Sequence, residues 1–199
     1  MTPKAEKFFS QKIWHHGTTL AGWKSICQKS ILADYNVGIS CDFGNGFYIS
    51  PDQHSTEVFA ENYVKYNQSD LPDNNIPVVI VFDFVPIEHI VSEERVKYFA
   101  KYDDEFAEFV FTCRENYLQA CTHGFVMTGG VMTDAVPTML MNKYFTNQIS
   151  KQEVITEFKK GTSKKQLCLH EQSICDKLII NKAYIVNGKE LDINEYRKK

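Results

Sequence analysis

No apolar run in this 199-residue chain is long enough to cross a bilayer: the longest, Val78 to Phe82, is five residues, where about 20 are needed. The N-terminus, MTPKAEKFF, lacks the apolar stretch of a secretory leader. Both absences predict a cytoplasmic protein with no membrane contact. The six cysteines, Cys27, Cys41, Cys113, Cys121, Cys168 and Cys175, include no CxxC pair and no regular spacing. That argues against a disulfide framework and against a metal site, and reads them as reduced thiols. There is also no repeat, no low-complexity tract and no GxGxxG turn of a dinucleotide fold.

What remains is the composition of an ordinary globular protein, 43% hydrophobic, 13% aromatic and 24% charged. The length suits one domain with its own core, expected over residues 1–199 with the core at about 13–188 and a flexible tail at 189–199. Net charge is −3 but uneven: residues 151–199 hold 11 Lys and Arg against 7 Asp and Glu, and residues 1–150 hold 11 against 18. A basic C-terminal stretch can face nucleic acid or an acidic partner; a solvated surface with a ragged EYRKK end is the simpler explanation.

Periodicity predicts alternating helices and strands. A strand is expected from Phe8 to His16, ending in WHHGTT, then a helix capped by Thr18 or Thr19 with Leu20, Trp23, Ile26 and Cys27 on one face. A loop from Ala33 to Asn45 leads into the strand GFYIS, and Pro51-Asp52 opens a helix through STEVFAENYVKY. IPVVIVFDFVP has the β-branched density of a central strand. Phe106, Phe109, Val110 and Cys113 form a helical apolar stripe with Arg114 just outside it. HGFVMTGGV reads as a strand into a glycine turn, VPTMLMNKYF and SKQEVITEFKK as helices, KQLCLH as a strand, EQSICDKL as a helix and IINKAYIV as the closing strand. The pattern is α+β with a mixed or antiparallel sheet core.

Four stretches carry candidate chemistry. In HHGTT an imidazole, His16, precedes a glycine whose backbone a ligand can approach closely; a strand-end histidine is the plain alternative. In DFGNGFY, Gly44 and Gly46 permit a tight turn that delivers Phe47 and Tyr48 to opposite strand faces, one to the core and one to a cleft. Arg114, in FVFTCREN, carries a permanent charge able to grip a phosphate or carboxylate, or is a surface Arg on an amphipathic helix. Gln166 and His170, in KQLCLH, share one strand face.

In this order, His16-Gly17-Thr18, then Asp42 to Tyr48, then Phe109-Val110 with Arg114, then Gln166, the chain resembles a bacterial domain family with an HGT…DFGxGFY…R…Q signature. Members of that family look like ADP-ribosyltransferases, the superfamily of the poly(ADP-ribose) polymerases and the diphtheria-toxin type. The likeness spans about residues 13–180. It implies a split antiparallel β-sandwich with flanking helices and NAD⁺ as co-substrate between the sheets. It implies that His16 bonds the adenosine ribose, that the Gly17 backbone holds the nicotinamide amide, and that Thr18, Asp42, Gly46 and Phe47 complete the cofactor-binding set. Tyr48 would stack on the nicotinamide ring with Phe47 turned inward.

By the same resemblance Gln166 stands where the superfamily often has a catalytic glutamate. Glutamine keeps a hydrogen bond to the ribose but has no charge and cannot be a base. The implied activity is therefore mono-ADP-ribosyl transfer with Tyr48, Gln166 and Arg114 as catalytic residues. A separate base, Glu105 or Glu108, is a further candidate. The acceptor, RNA, DNA or protein, stays open. An intracellular toxin of a toxin–antitoxin or phage-defence system, with a neutralising partner, fits a small free-standing catalytic domain. The alternatives are an NAD⁺ glycohydrolase and a catalytically silent NAD⁺-binding or partner-binding module.

Overall fold

The fold is seen in a computed structural model that describes residues 1–34, 41–118, 123–133 and 137–196. Cys121, most of the Ala33–Asn45 loop before Cys41, and the last three residues of the tail lie outside the described residues. The chain opens with a helix, α1 (Pro3–Phe9), where the Thr2 hydroxyl accepts from the Ala5 N–H and Pro3 takes the first turn, in which no N–H is needed. This corrects the expected strand from Phe8: Phe8 and Phe9 are the buried face of α1, and β1 (Ile13–Thr19) starts later.

Thr19, not Thr18, caps α2 (Leu20–Lys29). The strand β2 (Phe47–Ile49) and the helix α3 (Gln53–Tyr66), capped by Asp52, follow as expected. In β3 (Pro77–Asp83), Val78 to Phe82 are all buried, as their unbroken apolar run requires. A strand that the sequence analysis does not anticipate, β4 (Val96–Phe99), precedes α4 (Asp104–Glu115). Next come β5 (Met127–Thr133), α5 (Pro137–Phe145) and α6 (Lys151–Phe158), which opens with a Ser150–Glu153 capping box. The chain closes with β6 (Gly161–Leu169), α7 (Gln172–Cys175), β7 (Ile179–Ile185), β8 (Glu190–Leu191) and α8 (Ile193–Tyr196).

The strands form two four-stranded sheets, β1-β3-β7-β8 and β2-β6-β5-β4. The first is antiparallel throughout, whereas β4 runs parallel to β5, so the second is mixed, within the mixed or antiparallel core that the sequence pattern predicts but unlike the antiparallel sandwich that the resemblance implies. The glycines of MTGGV do not make a turn. They lie inside β5, where Gly129 passes under the Phe8 ring and Gly130 lies against the Phe99 backbone, leaving no room for larger side chains.

The inner faces of both sheets share one core, in which Trp14, Ile80 and Phe82 of the first meet Phe47, Ile49, Met127, Leu167 and Leu169 of the second. The Phe47 and Phe82 rings meet edge to face at 5.9 Å. The outer face of the second sheet packs on α4 and α6 through Phe43, Val110, Phe111, Phe158 and Cys168. α3 covers the outer face of the first, where Ala60 meets Val79 and Val186.

Truncating Phe82 removes the ring that ties the two inner faces together. Phe82→Ala should cost about 3–5 kcal/mol, read as a fall of about 10 °C or more in Tm by calorimetry. A loss below about 1 kcal/mol would contradict the shared core.

Candidate functional site

Among the described residues the backbones of the two sheets meet at one bridge. His15 N–H and C=O bond the Ser50 C=O and N–H, each at 2.8 Å, as a single bridge between β1 and β2. Successive residues of an antiparallel edge turn their backbone groups to opposite sides. His16, Thr18 and Leu20 therefore face β3, consistent with Leu20 N–H bonding the Ile76 C=O, while His15 and Gly17 face the seam. Ser50 meets the His15 edge, but no described backbone group meets the Gly17 N–H and C=O.

Glycine is required at 17 by what stands over it. A Cβ there would lie 2.9 Å from the Thr56 carbonyl and 3.0 Å from the Phe59 ring of α3. Phe59 is 55% exposed. It is the functional candidate that the sequence analysis misses, although its place one turn before Tyr63 on an otherwise polar helix face signals it. The open peptide edge of Gly17 and the half-exposed ring of Phe59, itself packed on Tyr63 at 6.3 Å, thus lie together where the seam meets α3, the candidate trough.

In the loop before β2, side chains hold the backbone carbonyls one after another. Gly44, at φ 82°, makes the turn that a side chain would strain. The His123 Nε2 donates to the Phe43 carbonyl (3.1 Å), and its Nδ1 accepts from the Phe125 N–H (3.2 Å). The Tyr48 hydroxyl donates to the Gly44 carbonyl (2.6 Å) and accepts from the Phe43 N–H (3.0 Å). The His170 Nδ1 donates to the Asn45 carbonyl (2.7 Å), and its Nε2 accepts from the Thr128 hydroxyl (3.0 Å). Gly46 lies tight against β6, where a Cβ would fall 2.2 Å from Cys168 Sγ.

These contacts revise the roles expected of the aromatic pair. Phe47 is buried, as the resemblance implies, with the His16 ring stacked on it at 4.4 Å. Tyr48 projects from the other face of β2 and packs beside Phe43. The His16 Nδ1 donates to the Tyr48 carbonyl (2.8 Å), so the imidazole reaches the Tyr48 backbone while the two rings lie on opposite faces of β2. They do not line one crevice. Thr18 shares the core-facing side of β1 with His16. Burial lowers the pKa of His16 and raises that of Tyr48 well above its usual range. At neutral pH His16 is uncharged and Tyr48 keeps its proton, which excludes the phenolate as a base.

Asp42, Arg114 and Gln166 come together. The Asp42 Oδ1 accepts from Arg114 Nη2 (2.5 Å) and Nε (3.1 Å) and from the Thr133 hydroxyl (2.7 Å). Its Oδ2 accepts from the Thr133 N–H (2.8 Å) and from Gln166 Nε2 (3.0 Å). Arg114 is 2% exposed, which corrects the reading of a residue outside the apolar stripe. The buried stripe of α4 is Ala107, Val110, Phe111 and Arg114, at i, i+3, i+4 and i+7. Its guanidinium neutralises Asp42 inside the protein and is not presented to a ligand phosphate. Neither Glu105 nor Glu108 faces the site: on the exposed side of α4 they pair with Lys97 and Lys151.

Ser50 and Tyr48 lie on the same face of β2, and Ser50 shares a face with His15 across the bridge. Gln166, on the same face of β6 as Cys168, which pairs with Tyr48, completes a path along one face of the two sheets, the helix-bearing one, from Gly17 to Gln166. A depression of about 350 Å³ between α5 and α6, lined by Leu140, Ile149, Gln152, Glu153, Thr156 and Glu157, contains none of these residues. Among the described residues no group of three or more His, Cys, Asp or Glu is placed to hold a metal ion, and no helix is long and apolar enough to cross a membrane.

Removing the Asp42 charge leaves the Arg114 charge buried without its counter-ion. Asp42→Asn should cost about 3–5 kcal/mol in denaturant unfolding, and Asp42→Asn/Arg114→Met should recover much of that loss, because the double variant buries no charge. Additive losses in the two would contradict the pairing.

The loop clamp is also pH-sensitive. Burial lowers the pKa of His123, and that of His170 to about 4, helped by the nearby His123 ring. Between pH 6.5, the unfolded value, and about 4 the unfolded chain binds more protons. Stability is therefore complete above pH 6.5 and falls as pH drops towards 4, by about 3 kcal/mol for His170. Tm measured from pH 7.5 to 4.5 should show this slope, and His170→Gln should flatten it.

Neither the curated proteins nor the solved structures contain a match to this sequence. One family does match, over residues 32–179, a span that includes Asp42, the glycine loop, Tyr48, Arg114 and Gln166 but begins after His16 and Gly17. The chain belongs to that family, a protein family of unknown function designated DUF3990.

Proposed function

We infer that this chain is an NAD⁺-dependent mono-ADP-ribosyltransferase. The observation that carries the reading is the Gly17 peptide edge, open at the seam and overhung by the exposed ring of Phe59. An N–H and a C=O side by side match the two ends of a carboxamide, and an aromatic face beside them matches a flat ring. Nicotinamide has both. The stacking surface is then Phe59 rather than Tyr48, whose phenol is committed to the loop.

With nicotinamide on Gly17, the attached ribose points along the trough past Ser50 towards Gln166, about two strand spacings away. The C1′–N bond breaks with its electron pair leaving on nicotinamide, which departs neutral. An acceptor nucleophile bonds C1′ and gives up its proton to solvent. Gln166 bonds the ribose as positive charge develops there. Tyr48, His123 and His170 act by fixing the loop before β2, and Arg114 acts only through Asp42. His16 holds β2 against β1 through the Tyr48 carbonyl and the Phe47 ring, on the core side of the strand, and so acts on the trough only through β2.

Incubation with NAD⁺ labelled in its adenylate part, together with cell RNA, DNA and protein, tests this. Label is expected on one class of macromolecule, with nicotinamide released in equal amount. Free ADP-ribose with no labelled macromolecule would make the chain a glycohydrolase, and no nicotinamide release would overturn both readings. Phe59→Ala should slow NAD⁺ use at least about fivefold, since a lost base-stacking contact costs about 1–3 kcal/mol. Tyr66→Ala, at the exposed end of the same helix, should leave the rate unchanged.

A further inference from the structure

The contact between Asp42 and Gln166 joins the buried ion pair to the trough. A carboxylate can only accept hydrogen bonds, so the Gln166 amide has to offer Nε2 to Asp42 Oδ2, as it does at 3.0 Å. The same contact turns Oε1 away from Asp42. Oε1 has no hydrogen-bond partner among the described residues, and Gln166 is half-buried at the end of the path from Gly17. The other side of Asp42 is occupied by Arg114 and Thr133, which hold the carboxylate in place.

We propose that Asp42 is the positioning residue of this site: it orients the Gln166 amide so that Oε1 accepts a hydroxyl of the substrate ribose, and it is why position 166 carries an amide and not a carboxylate. The role of Oε1 rests on the proposed function; the control by Asp42 does not. A glutamate at 166 would set two carboxylates about 3 Å apart, where both cannot stay ionised. It could take the place of the amide only with a proton shared between them, one oxygen donating to Asp42 and the other left as acceptor. The titratable and charged groups around the pair are Arg114 from α4, Tyr48 from β2, Cys168 from β6 and Cys41 beside Asp42. Of these only Arg114 carries a charge that offsets one carboxylate, and it is already spent on Asp42.

The test compares the parent, Gln166→Glu and Gln166→Met between pH 5 and 8.5, measuring Tm and the rate of nicotinamide release from NAD⁺. At pH 8 the glutamate variant should melt several degrees below the parent and release nicotinamide at least tenfold more slowly, in kcat more than in KM. Both deficits should shrink towards pH 5, while the methionine variant stays slow throughout. A glutamate variant that melts with the parent at every pH overturns the control by Asp42. One that shows the pH-dependent melting gap yet turns over like the parent at pH 8 overturns the acceptor role of Oε1. A parent that releases no nicotinamide overturns the proposed function together with the acceptor role, and the melting comparison then decides the role of Asp42 alone.

Discussion

The carboxylate of Asp42 is the constraint on which the site depends. It is 3% exposed, and an ionised carboxyl is tolerated at such a depth only when its lone pairs are filled. Here five donors fill them, from α4, β5 and β6. The arrangement makes the loop that carries Asp42 a fixed part of the second sheet, because moving the loop would strand both Asp42 and Arg114 without counter-charge. A glycine-containing turn, already anchored by the buried Phe43 ring, is thereby held rigid.

The histidines and tyrosine on the same loop extend this logic to uncharged groups. Three consecutive carbonyls, of Phe43, Gly44 and Asn45, are each taken by a side-chain donor from a different part of the chain. A loop without strand partners cannot satisfy its own backbone. These residues do for it what a neighbouring strand does elsewhere. The same burial lowers the basicity of the two histidines and keeps the Tyr48 phenol protonated.

Much of the fold was legible in sequence because local signals and tertiary packing agree. The caps at Asp52 and Ser150, the apolar run of β3 and the turn-to-strand switch at Gly46-Phe47 each lie where chain chemistry puts them. The failures share a cause, which is long-range contact. Phe8 and Phe9 look like a strand until Tyr98 and Trp14 are seen to pack on a helix there. Gly129 and Gly130 look like a turn until Phe8 and the Phe99 backbone are seen to leave no room for side chains. Arg114 misleads because a charge at the edge of an apolar stripe reads as solvated, and only Asp42, 72 positions earlier, shows otherwise. At the site, the D, R and Q positions are one hydrogen-bonded unit, which their separation in the chain conceals. The stacking candidate moved from Tyr48 to Phe59 because strand alternation identifies the two faces of β2 but not which face is already occupied.

The lone bridge between His15 and Ser50 sets how the two halves can move. On the inner side the sheets meet through a continuous apolar core, whereas among the described residues the backbone join is that one pair of hydrogen bonds, helped by the His15 and His16 imidazoles on the Ser50 and Tyr48 carbonyls. Such a joint resists sliding and closing but yields to bending in one sense, like a book whose spine is glued along its inner edge. If the proposed site takes a guest, that guest would bridge the two sheets on the side their shared core does not reach, and so hold the covers at one angle.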